Sequence, residues 1–385
     1  MDLRFSAEDE AFRAEVRAWL DAHLVGKFAD LGDAGGPGRE HEGFDVRRQW
    51  ERLLGEHGWI GLGWPAEYGG RGATLMQQVV FHEEYAEASA PHRVNHIGEN
   101  LLAPTLLACG TDEQRARFLP PIRTGDELWC QGYSEPDAGS DLANVKTRAV
   151  LDGNEWVVTG QKVWTSLAHV ADWCFVLART DPDASKHAGL SYLLVPMDQP
   201  GIEVRPIVQI TGTSEFNEVF FDGARTAAAN VVGAPGDGWR VAMATLGFER
   251  GVATLGQQVG FARELDRVIA LARETGVIDD PYIADRITQS WIELRSMRYT
   301  ALRMLSVHTP GVEASISKLL WSGWHQRLGE LAMLVRGADA TVAADGQLDD
   351  LQRLYLFSRA DTIYGGSDEI QRGIIATRML GLPRP

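Results

Sequence analysis

The run Trp173-Cys174-Phe175-Val176-Leu177 decides the fold, because it is a short, apolar, strand-like segment in a chain whose flanks have helical patterns. Asp152-Gly153-Asn154 lies upstream and is typical of a hairpin turn. Three further runs of the same kind are 156–159, 190–195 and 218–221. Together they predict a middle domain of antiparallel strands, a barrel or sandwich, over residues 126–234.

A helical pattern precedes these strands. Apolar residues recur at helical spacing behind Ser6, and acidic residues fill positions 8–10, which is the arrangement of a capped amphipathic helix. Thr111-Asp112-Glu113-Gln114 has the form of a second capping box. We therefore expect an N-terminal α-helical domain over residues 1–125.

Long helical patterns also follow the strands. They occupy about 237–275, 281–307 and 312–343, with shorter ones behind them, and proline or glycine separates them. Long helices joined by short connections favour an antiparallel bundle. Residues 235–385 are thus expected to form a four-helix-bundle-like C-terminal domain, and the fold class is α+β with several domains.

Composition limits the partners. The net charge of −16 argues against nucleic acid or an anionic membrane, because both attract a basic face. No apolar run approaches the ~20 residues that span a bilayer. Three cysteines without metal spacing are typical of a reduced compartment, so we expect a cytoplasmic protein.

The segment His82-Glu83-Glu84 lacks a third metal ligand at useful spacing. We interpret it as a solvated helix face and expect no metal.

Three segments carry the candidate chemistry. Two lie in the middle domain: Tyr133-Ser134-Glu135-Pro136-Asp137-Ala138-Gly139-Ser140-Asp141 and Gln161-Lys162-Val163-Trp164-Thr165-Ser166. Glycines and hydroxyls at a strand end can present N–H groups and an Oγ to a polar ligand. With Tyr364-Gly365-Gly366-Ser367-Asp368-Glu369-Ile370-Gln371-Arg372, they resemble the flavin-side segments of acyl-CoA dehydrogenases. The resemblance extends over essentially the whole chain.

The resemblance implies an FAD site. Ser134 and Ser166 match hydroxyls that bond the isoalloxazine edge, and Trp164 matches the indole that stacks on the ring; a core tryptophan is the alternative in a chain with twelve. The remaining implied cofactor contacts are the turn near the pyrophosphate and the thioester, Gly139 and Ser140, and the loop at the adenosine side, Ser367, Asp368 and Glu369.

The family's catalytic base occupies an unusual position in this chain. Most members carry a glutamate directly after the loop tyrosine, where this chain has Gly365, and a minority carry the base at the position of Glu249. Helical spacing places Glu249 on a stripe of small and apolar residues, where partial desolvation should raise its pKa toward the range of a base. A glutamate paired with a neighbouring arginine at a helix contact is the alternative. The implied substrate contacts are Ser140, Gly365 and Arg250, which matches an arginine at the CoA end of this helix.

Two family features are missing. The Arg-x-x-Phe-Gly segment, whose arginine reaches the FAD pyrophosphate across a subunit interface, is replaced by residues 274–281, and the Gly-rich adenine segment is replaced by residues 335–339. Similar losses occur in the branch that includes steroid-degrading bacterial acyl-CoA dehydrogenases, some of them α2β2 heterotetramers. The resemblance therefore implies either a homo-oligomer or a heterotetramer with a homologous chain.

The implied reaction is α,β-dehydrogenation of an acyl-CoA thioester to the trans-2-enoyl-CoA. Glu249 takes the α-proton, a β-hydride passes to the flavin, and an electron-transfer flavoprotein accepts the electrons. A base on the long helix accompanies branched or long acyl chains in several relatives, which favours a bulky, branched or steroid-derived acyl group. Two alternatives stay open: a flavin oxidase or monooxygenase of the same fold, against which Ser140 and Arg250 argue, and a non-catalytic or co-catalytic subunit that completes another chain's FAD site.

Overall fold

The computed structural model describes residues 5–248, 253–305 and 313–383. Its α-helices are α1 (Ala7–His23), α2 (Lys27–Asp30), α3 (Phe44–Glu56), α4 (Leu75–Glu87), α5 (Ala103–Cys109), α6 (Asp112–Thr124), α7 (Gly238–Phe248), α8 (Ala253–Glu274), α9 (Pro281–Leu305), α10 (Ala314–Arg336), α11 (Asp350–Phe357) and α12 (Asp368–Ile374). Its strands are β1 (Trp129–Gly132), β2 (Arg148–Asp152), β3 (Glu155–Ser166), β4 (Trp173–Arg179), β5 (Leu190–Pro196), β6 (Ile202–Pro206), β7 (Phe216–Ala227) and β8 (Val231–Val232). None of the helices described is long and apolar enough to cross a membrane. The order helices, strands, helices confirms the predicted fold class.

The described strands form one eight-stranded sheet in the order β6-β7-β3-β2-β4-β5-β8, with β1 paired to β4. Most neighbours are antiparallel, as predicted, and Asp152 pairs with Glu155 across the predicted hairpin turn. However, β1 runs parallel to β4, with Trp129 opposite Trp173, and a parallel bridge also joins β2 to β4. The sheet is therefore mixed, and the chain between β1 and β4, which contains β2 and β3, is long enough for the crossover that parallel pairing needs.

Strands β4 and β5 are buried on both faces. Phe175 and Tyr192 stack with ring centroids 5.5 Å apart on one face, against side chains from α5, α6 and α7. The alternate residues Cys174 and Val176 pack on the other face with residues of β3 and β7. This period of two explains why both strands appear in the sequence as continuous apolar runs.

The chain divides into two compact units. The sheet unit consists of Gly26–Ala73 and Pro91–Glu249, and it holds the sheet with helices α2, α3, α5, α6 and α7. The bundle unit consists of Met1–Val25, Thr74–Ala90 and Arg250–Pro385, and it holds the other helices. The predicted domain limits at 125/126 and 234/235 stay a prediction.

The bundle unit is built around α8, α9 and α10. Its core takes Phe261 and Leu265 from α8, Leu294 from α9 and Leu328 from α10. Trp324 is fully buried among them and donates through its indole N–H to the Ser290 carbonyl at 2.9 Å. The predicted long helices therefore share one apolar core, and the polar N–H of the indole buried in it has a hydrogen-bond acceptor.

The interpretation of Glu83 and Glu84 as part of a solvated face is wrong, because both carboxylates are buried in the bundle unit. Glu84 accepts hydrogen bonds from Arg13 at 2.6 Å and from Arg17, and Glu83 lies 2.7 Å from Arg298. Burial alone would raise the pKa of Glu84, but its bonds to Arg17 and Arg13 lower it overall. These ion pairs line a groove of about 680 Å³ between α1, α4, α8 and α9.

Two predicted helix starts are confirmed by their caps. Ser6 Oγ accepts from the Asp9 N–H at 3.1 Å while Asp9 accepts from the Ser6 N–H at 2.9 Å, and Thr111 and Gln114 form the same reciprocal pair. Helix α6 continues through Pro120 and Pro121 to Thr124.

Candidate functional site

A buried lysine anchors the segment that follows β1 in the sheet unit. Lys162 Nζ donates to Glu135 Oε1 at 2.8 Å, to the Tyr133 carbonyl at 3.0 Å and to the Leu177 carbonyl at 2.8 Å. An ammonium has three donors, so all of them are used. The lysine therefore joins β3 and β4 to the segment that contains Ser134.

Glu135 completes this anchor from the other side. Its second oxygen accepts from the Lys146 N–H at 2.6 Å, and the first also accepts from the Thr147 N–H at 2.8 Å. Burial alone would raise the pKa of Glu135, yet the charge of Lys162 and these hydrogen bonds hold it below its usual value. Burial lowers the pKa of Lys162. We regard the pair as ionised, since each charge is matched by several hydrogen bonds.

Ser134 and Trp164 lie on adjacent backbones. The N–H of Val163 donates to the Ser134 carbonyl at 2.9 Å, and the register of β3 against β7 shifts between Lys162 and Thr165, as in a β-bulge. Ser166, half-buried at the end of β3, pairs with Phe216 of β7. The structure thus brings the predicted residues Ser134, Trp164 and Ser166 together near the end of β3, at a surface of the sheet unit that we call the site edge.

Trp164 stands out in conformation and exposure. Its φ of +59° lies in the left-handed region, which costs a residue with a Cβ roughly 1–2 kcal/mol. Its indole is 58% exposed and meets the Phe216 ring edge-on, with centroids 6.2 Å apart. Strain combined with exposure of a large aromatic ring indicates a functional surface and not a core tryptophan.

Polar atoms beside this edge fit a ligand with a polar rim. Thr165 Oγ1 and Asn217 Oδ1 are buried and make no hydrogen bond within the described part of the chain. The Asn217 amide group donates to the Thr165 carbonyl at 3.0 Å, which holds both residues in place. An exposed indole, half-buried hydroxyls and unsatisfied buried acceptors fit the flat, polar-edged isoalloxazine of a flavin.

Gly139 and Ser140 follow a tight turn in which Glu135 and Ala138 exchange both backbone hydrogen bonds, at 3.1 and 3.0 Å. Both residues are exposed, and a Cβ added at Gly139 would meet no heavy atom within 4 Å. The turn therefore presents open backbone next to the anchored Ser134 segment.

The C-terminal loop lies in the bundle unit. Gly365 and Gly366 have φ of +62° and +83°, which are left-handed conformations that favour glycine. The side-chain amide of Gln371 donates to both their carbonyls at 3.2 Å. The backbone conformation of this loop therefore favours glycine at both positions.

The three predicted adenosine-side residues differ in exposure. Ser367 caps α12 and accepts from the Ile370 N–H at 3.4 Å. Asp368 is buried and accepts from Ser322 Oγ at 3.0 Å, whereas Glu369 is exposed. Ser367 and Glu369 are thus accessible to a ligand, while Asp368 already serves to attach α12 to α10.

Glu249 and Arg250 lie outside the described residues, so the predicted base and the predicted CoA contact stay predictions. Lys162 and Glu135 are supporting residues that the sequence analysis missed. One signal could have found them: Lys162 lies within a β-strand pattern and is two residues from Trp164, and a charge in such a strand needs a buried partner.

Family models cover most of the chain. The acyl-CoA dehydrogenase N-terminal domain matches residues 6–126, the middle domain matches residues 130–224, and the C-terminal domain matches residues 236–380. The chain is 63% identical over 378 residues to the acyl-CoA dehydrogenase IpdE1 of Mycobacterium tuberculosis, covering 97% of this chain and 98% of that protein. It is 60% identical over 387 residues to IpdE1 of Mycolicibacterium smegmatis, covering 98% of each.

Solved structures give the same result. The Tcur3481-Tcur3483 steroid ACAD contains a chain with a TM-score of 0.86 and 32% identity, with 100% of both chains covered. The ChsE4-ChsE5 complex from Mycobacterium tuberculosis contains a chain with a TM-score of 0.84 and 32% identity, again with 100% of both chains covered. Because the matches span all three domains at identities up to 63%, this chain belongs to the acyl-CoA dehydrogenase family of oxidoreductases.

Proposed function

We propose that this acyl-CoA dehydrogenase uses FAD to introduce a trans α,β double bond into an acyl-CoA thioester, with Glu249 as the base. The observation that carries the proposal is the strained, exposed Trp164 beside Ser134 and Ser166. The chemistry that bound FAD supplies is acceptance of the hydride from the substrate's β-carbon. Ser134 and Ser166 would hold the polar edge of the ring system, and Trp164 would cover it and exclude water.

Glu249 follows directly on α7, whose last described residue is Phe248. Thr245 Oγ1 lies 2.9 Å from Thr105 Oγ1 and donates to the Val241 carbonyl at 3.1 Å, so the helix turn before Glu249 is fixed to α5. A base that follows a fixed helix turn in the chain can remove the α-proton in a constant geometry. The left-handed Gly365 contributes backbone without a side chain, which leaves room for the acyl group.

We infer a bulky acyl group, either branched or built on fused rings. A glycine in place of the loop carboxylate supports this inference, since it removes side-chain volume next to the substrate. The similarity to a structure described as a steroid ACAD supports it as well. An electron-transfer flavoprotein is the proposed electron acceptor.

We also propose that a homologous chain completes the FAD site. The arginine that reaches the pyrophosphate in relatives is missing here, and an arginine fork is the usual match for two phosphate charges. Two arginines of this chain could replace it: Arg336, which is bonded to Asp349, and Arg286, which lies over the Tyr282 ring. Val208 and Ile210 are 74% and 73% exposed in the sheet unit, as expected of a surface that a partner covers. The similar ChsE4-ChsE5 structure is itself a complex of two chains.

Two measurements test these proposals. In the first, the chain is purified alone and then with a co-expressed homologous chain, and the flavin-to-protein ratio is read from absorbance near ~450 nm. The proposal expects FAD to be weakly held by the chain alone and tightly held by the pair. A homotetramer with one tightly bound FAD per chain would contradict the shared site but not the reaction.

In the second, a panel of straight, branched and ring-containing acyl-CoA thioesters is mixed anaerobically with the flavinated protein. Bleaching by a bulky thioester is the expected result. If no thioester bleaches the flavin when this chain is paired, but the partner chain is active in the same complex, the alternative of a non-catalytic subunit replaces the proposal.

A further inference from the structure

His325 lies on α10 in the bundle unit and is bonded to a carboxylate at each ring nitrogen. Its Nδ1 lies 2.5 Å from Asp361 Oδ2, and its Nε2 lies 2.9 Å from Glu264 Oε2 of α8. The side chain is buried, and its ring packs on Phe261 with centroids 4.6 Å apart. A neutral imidazole has only one N–H, whereas an imidazolium can donate to both carboxylates.

Asp361 opens the segment that leads to Gly365 and Gly366. Its Oδ1 accepts from the Tyr364 hydroxyl at 2.6 Å, and its carbonyl accepts from the ammonium of Lys318. That ammonium also lies over the Tyr364 ring, 4.6 Å from its centroid. Asp361 is therefore the point at which α10 holds the loop tyrosine from two directions.

Further contacts hold the rest of this segment. Gln326 of α10 donates to Thr362 Oγ1 at 3.0 Å, and the Asp368 N–H donates to the Thr362 carbonyl at 3.0 Å. The charged or titratable groups around His325 are Glu264 from α8, Asp361 and Tyr364 from the loop, and Lys318 from α10 itself, with Asp368 of α12 bonded one turn away to Ser322.

We propose that His325 is a positioning residue: as an imidazolium between Glu264 and Asp361, it holds the segment 361–366 so that Gly365 keeps its left-handed place beside the substrate. The proposal rests on the proposed function, in which this loop borders the acyl-CoA thioester. The cation is needed because the buried carboxylate of Asp361 and the half-buried carboxylate of Glu264, which contact the same ring, would otherwise repel each other. The pKa of His325 agrees: burial alone would lower it, but Glu264 and the bond to Asp361 raise it to about 10.

The first test measures the loop and not the activity. The variant His325→Gln fits the space but can donate to only one of the two carboxylates. If it does not fold, Asp361→Asn weakens the same contact between His325 and residue 361. Arg327→Gln is the matched control, because Arg327 lies on the same helix but pairs with Glu293 on the exposed side. Hydrogen–deuterium exchange is followed for the amides of residues 363–369 in each protein.

We expect exchange in this loop to become at least about tenfold faster in His325→Gln and Asp361→Asn and to stay unchanged in Arg327→Gln. Equal acceleration throughout α8 and α10 would overturn the proposal, because His325 would then be an ordinary core residue. Unchanged loop exchange in both variants would overturn it as well.

The second test is kinetic and uses the flavinated protein with its acyl-CoA. A misplaced loop should raise KM for the thioester by about tenfold or more, with a smaller effect on kcat, and Arg327→Gln should change neither. A faster-exchanging loop with an unchanged KM would overturn the positioning role. If no acyl-CoA reduces the wild-type flavin, the proposed function fails, and exchange alone decides whether His325 holds the loop.

Discussion

Lys162 Nζ of β3 and Glu135 Oε1, next to Ser134 in the chain, lie 2.8 Å apart in the interior of the sheet unit. Neither residue is on the surface that we assign to the flavin. The pair instead fixes the backbone from which Ser134 and Trp164 project. The Lys162 ammonium also donates to the Tyr133 carbonyl, and the Glu135 carboxylate also accepts from the N–H groups of Lys146 and Thr147.

Removing one member of this pair should be costly. Lys162→Met leaves the Glu135 charge buried without its partner, which destabilises proteins by about 3–5 kcal/mol. The double variant Lys162→Met, Glu135→Gln should recover much of that loss, since no charge remains buried. Urea unfolding gives the free energies. Lys186→Met is the control, because the exposed pair of Lys186 with Asp141 should contribute at most about 1 kcal/mol. If Lys162→Met lowers the free energy of unfolding no more than this control does, the buried pair does not hold the segment.

Trp164 should be more important for the ligand than for stability. Trp164→Gly removes the penalty of the left-handed backbone, so the free energy of unfolding should be unchanged or rise by up to about 1 kcal/mol. The affinity for FAD should fall by about tenfold or more, as the ring loses its stacking partner. Trp164→Phe keeps an aromatic ring, so its affinity for FAD should lie between those of wild type and Trp164→Gly. Fluorescence titration with FAD measures the affinity, and strong destabilisation by Trp164→Gly would mean that the indole is structural.

The stability of the protein should depend on His325 at alkaline pH. Its pKa is about 10 when folded and about 6.5 when unfolded. Between these values the folded chain holds a proton that the unfolded chain has released, so the free energy of unfolding falls as the pH rises. The stabilisation is complete below about pH 6.5 and is lost by about pH 10.

Chemical denaturation at several pH values checks this dependence. His325→Gln should flatten the decline relative to wild type, whereas Arg327→Gln should retain it. If the free energy of unfolding falls equally with pH in all three proteins, groups other than His325 cause the pH dependence.

Gly365 provides a test of where the base can be placed. Gly365→Ala and Gly365→Glu should each destabilise the protein by about 1–2 kcal/mol, because any Cβ is strained at a φ of +62°. If this position and Glu249 face the same substrate carbon, Glu249→Gly, Gly365→Glu should reduce flavin faster than Glu249→Gly alone. The double variant Glu249→Gly, Gly365→Gln is the control without a carboxylate. Equal rates of flavin reduction in the two double variants would show that positions 249 and 365 do not face the same substrate carbon.

Much of the fold could be predicted from local pattern. The runs in β4 and β5 are buried on both faces, and Ser6 and Thr111 cap the helices that their spacing indicates. The hairpin at Gly153 also follows from its turn residues. In each case the information lies within a few residues of the feature.

The missed features depend on partners far away in the sequence. Glu83 is buried because Arg298, more than 200 residues later, neutralises it. His325 becomes a link because α8 and the loop each supply a carboxylate, and nothing near it in the sequence specifies either one. The pattern of residues within a strand does not determine which strand it pairs with or in which direction, so the parallel pairing of β1 with β4 was not predicted.

Single-turnover flavin reduction measures whether Glu249 removes the α-proton. Wild type, Glu249→Gln and the surface control Glu203→Gln are loaded with FAD, in the complex with the homologous chain if that is needed, and mixed anaerobically with the acyl-CoA that bleaches the wild type. We expect equal FAD content in all three proteins. The reduction rate should be at least ~10²-fold lower in Glu249→Gln than in wild type, the low end for loss of a general base, and unchanged in Glu203→Gln. A rate in Glu249→Gln close to that of wild type, with FAD bound, would contradict it.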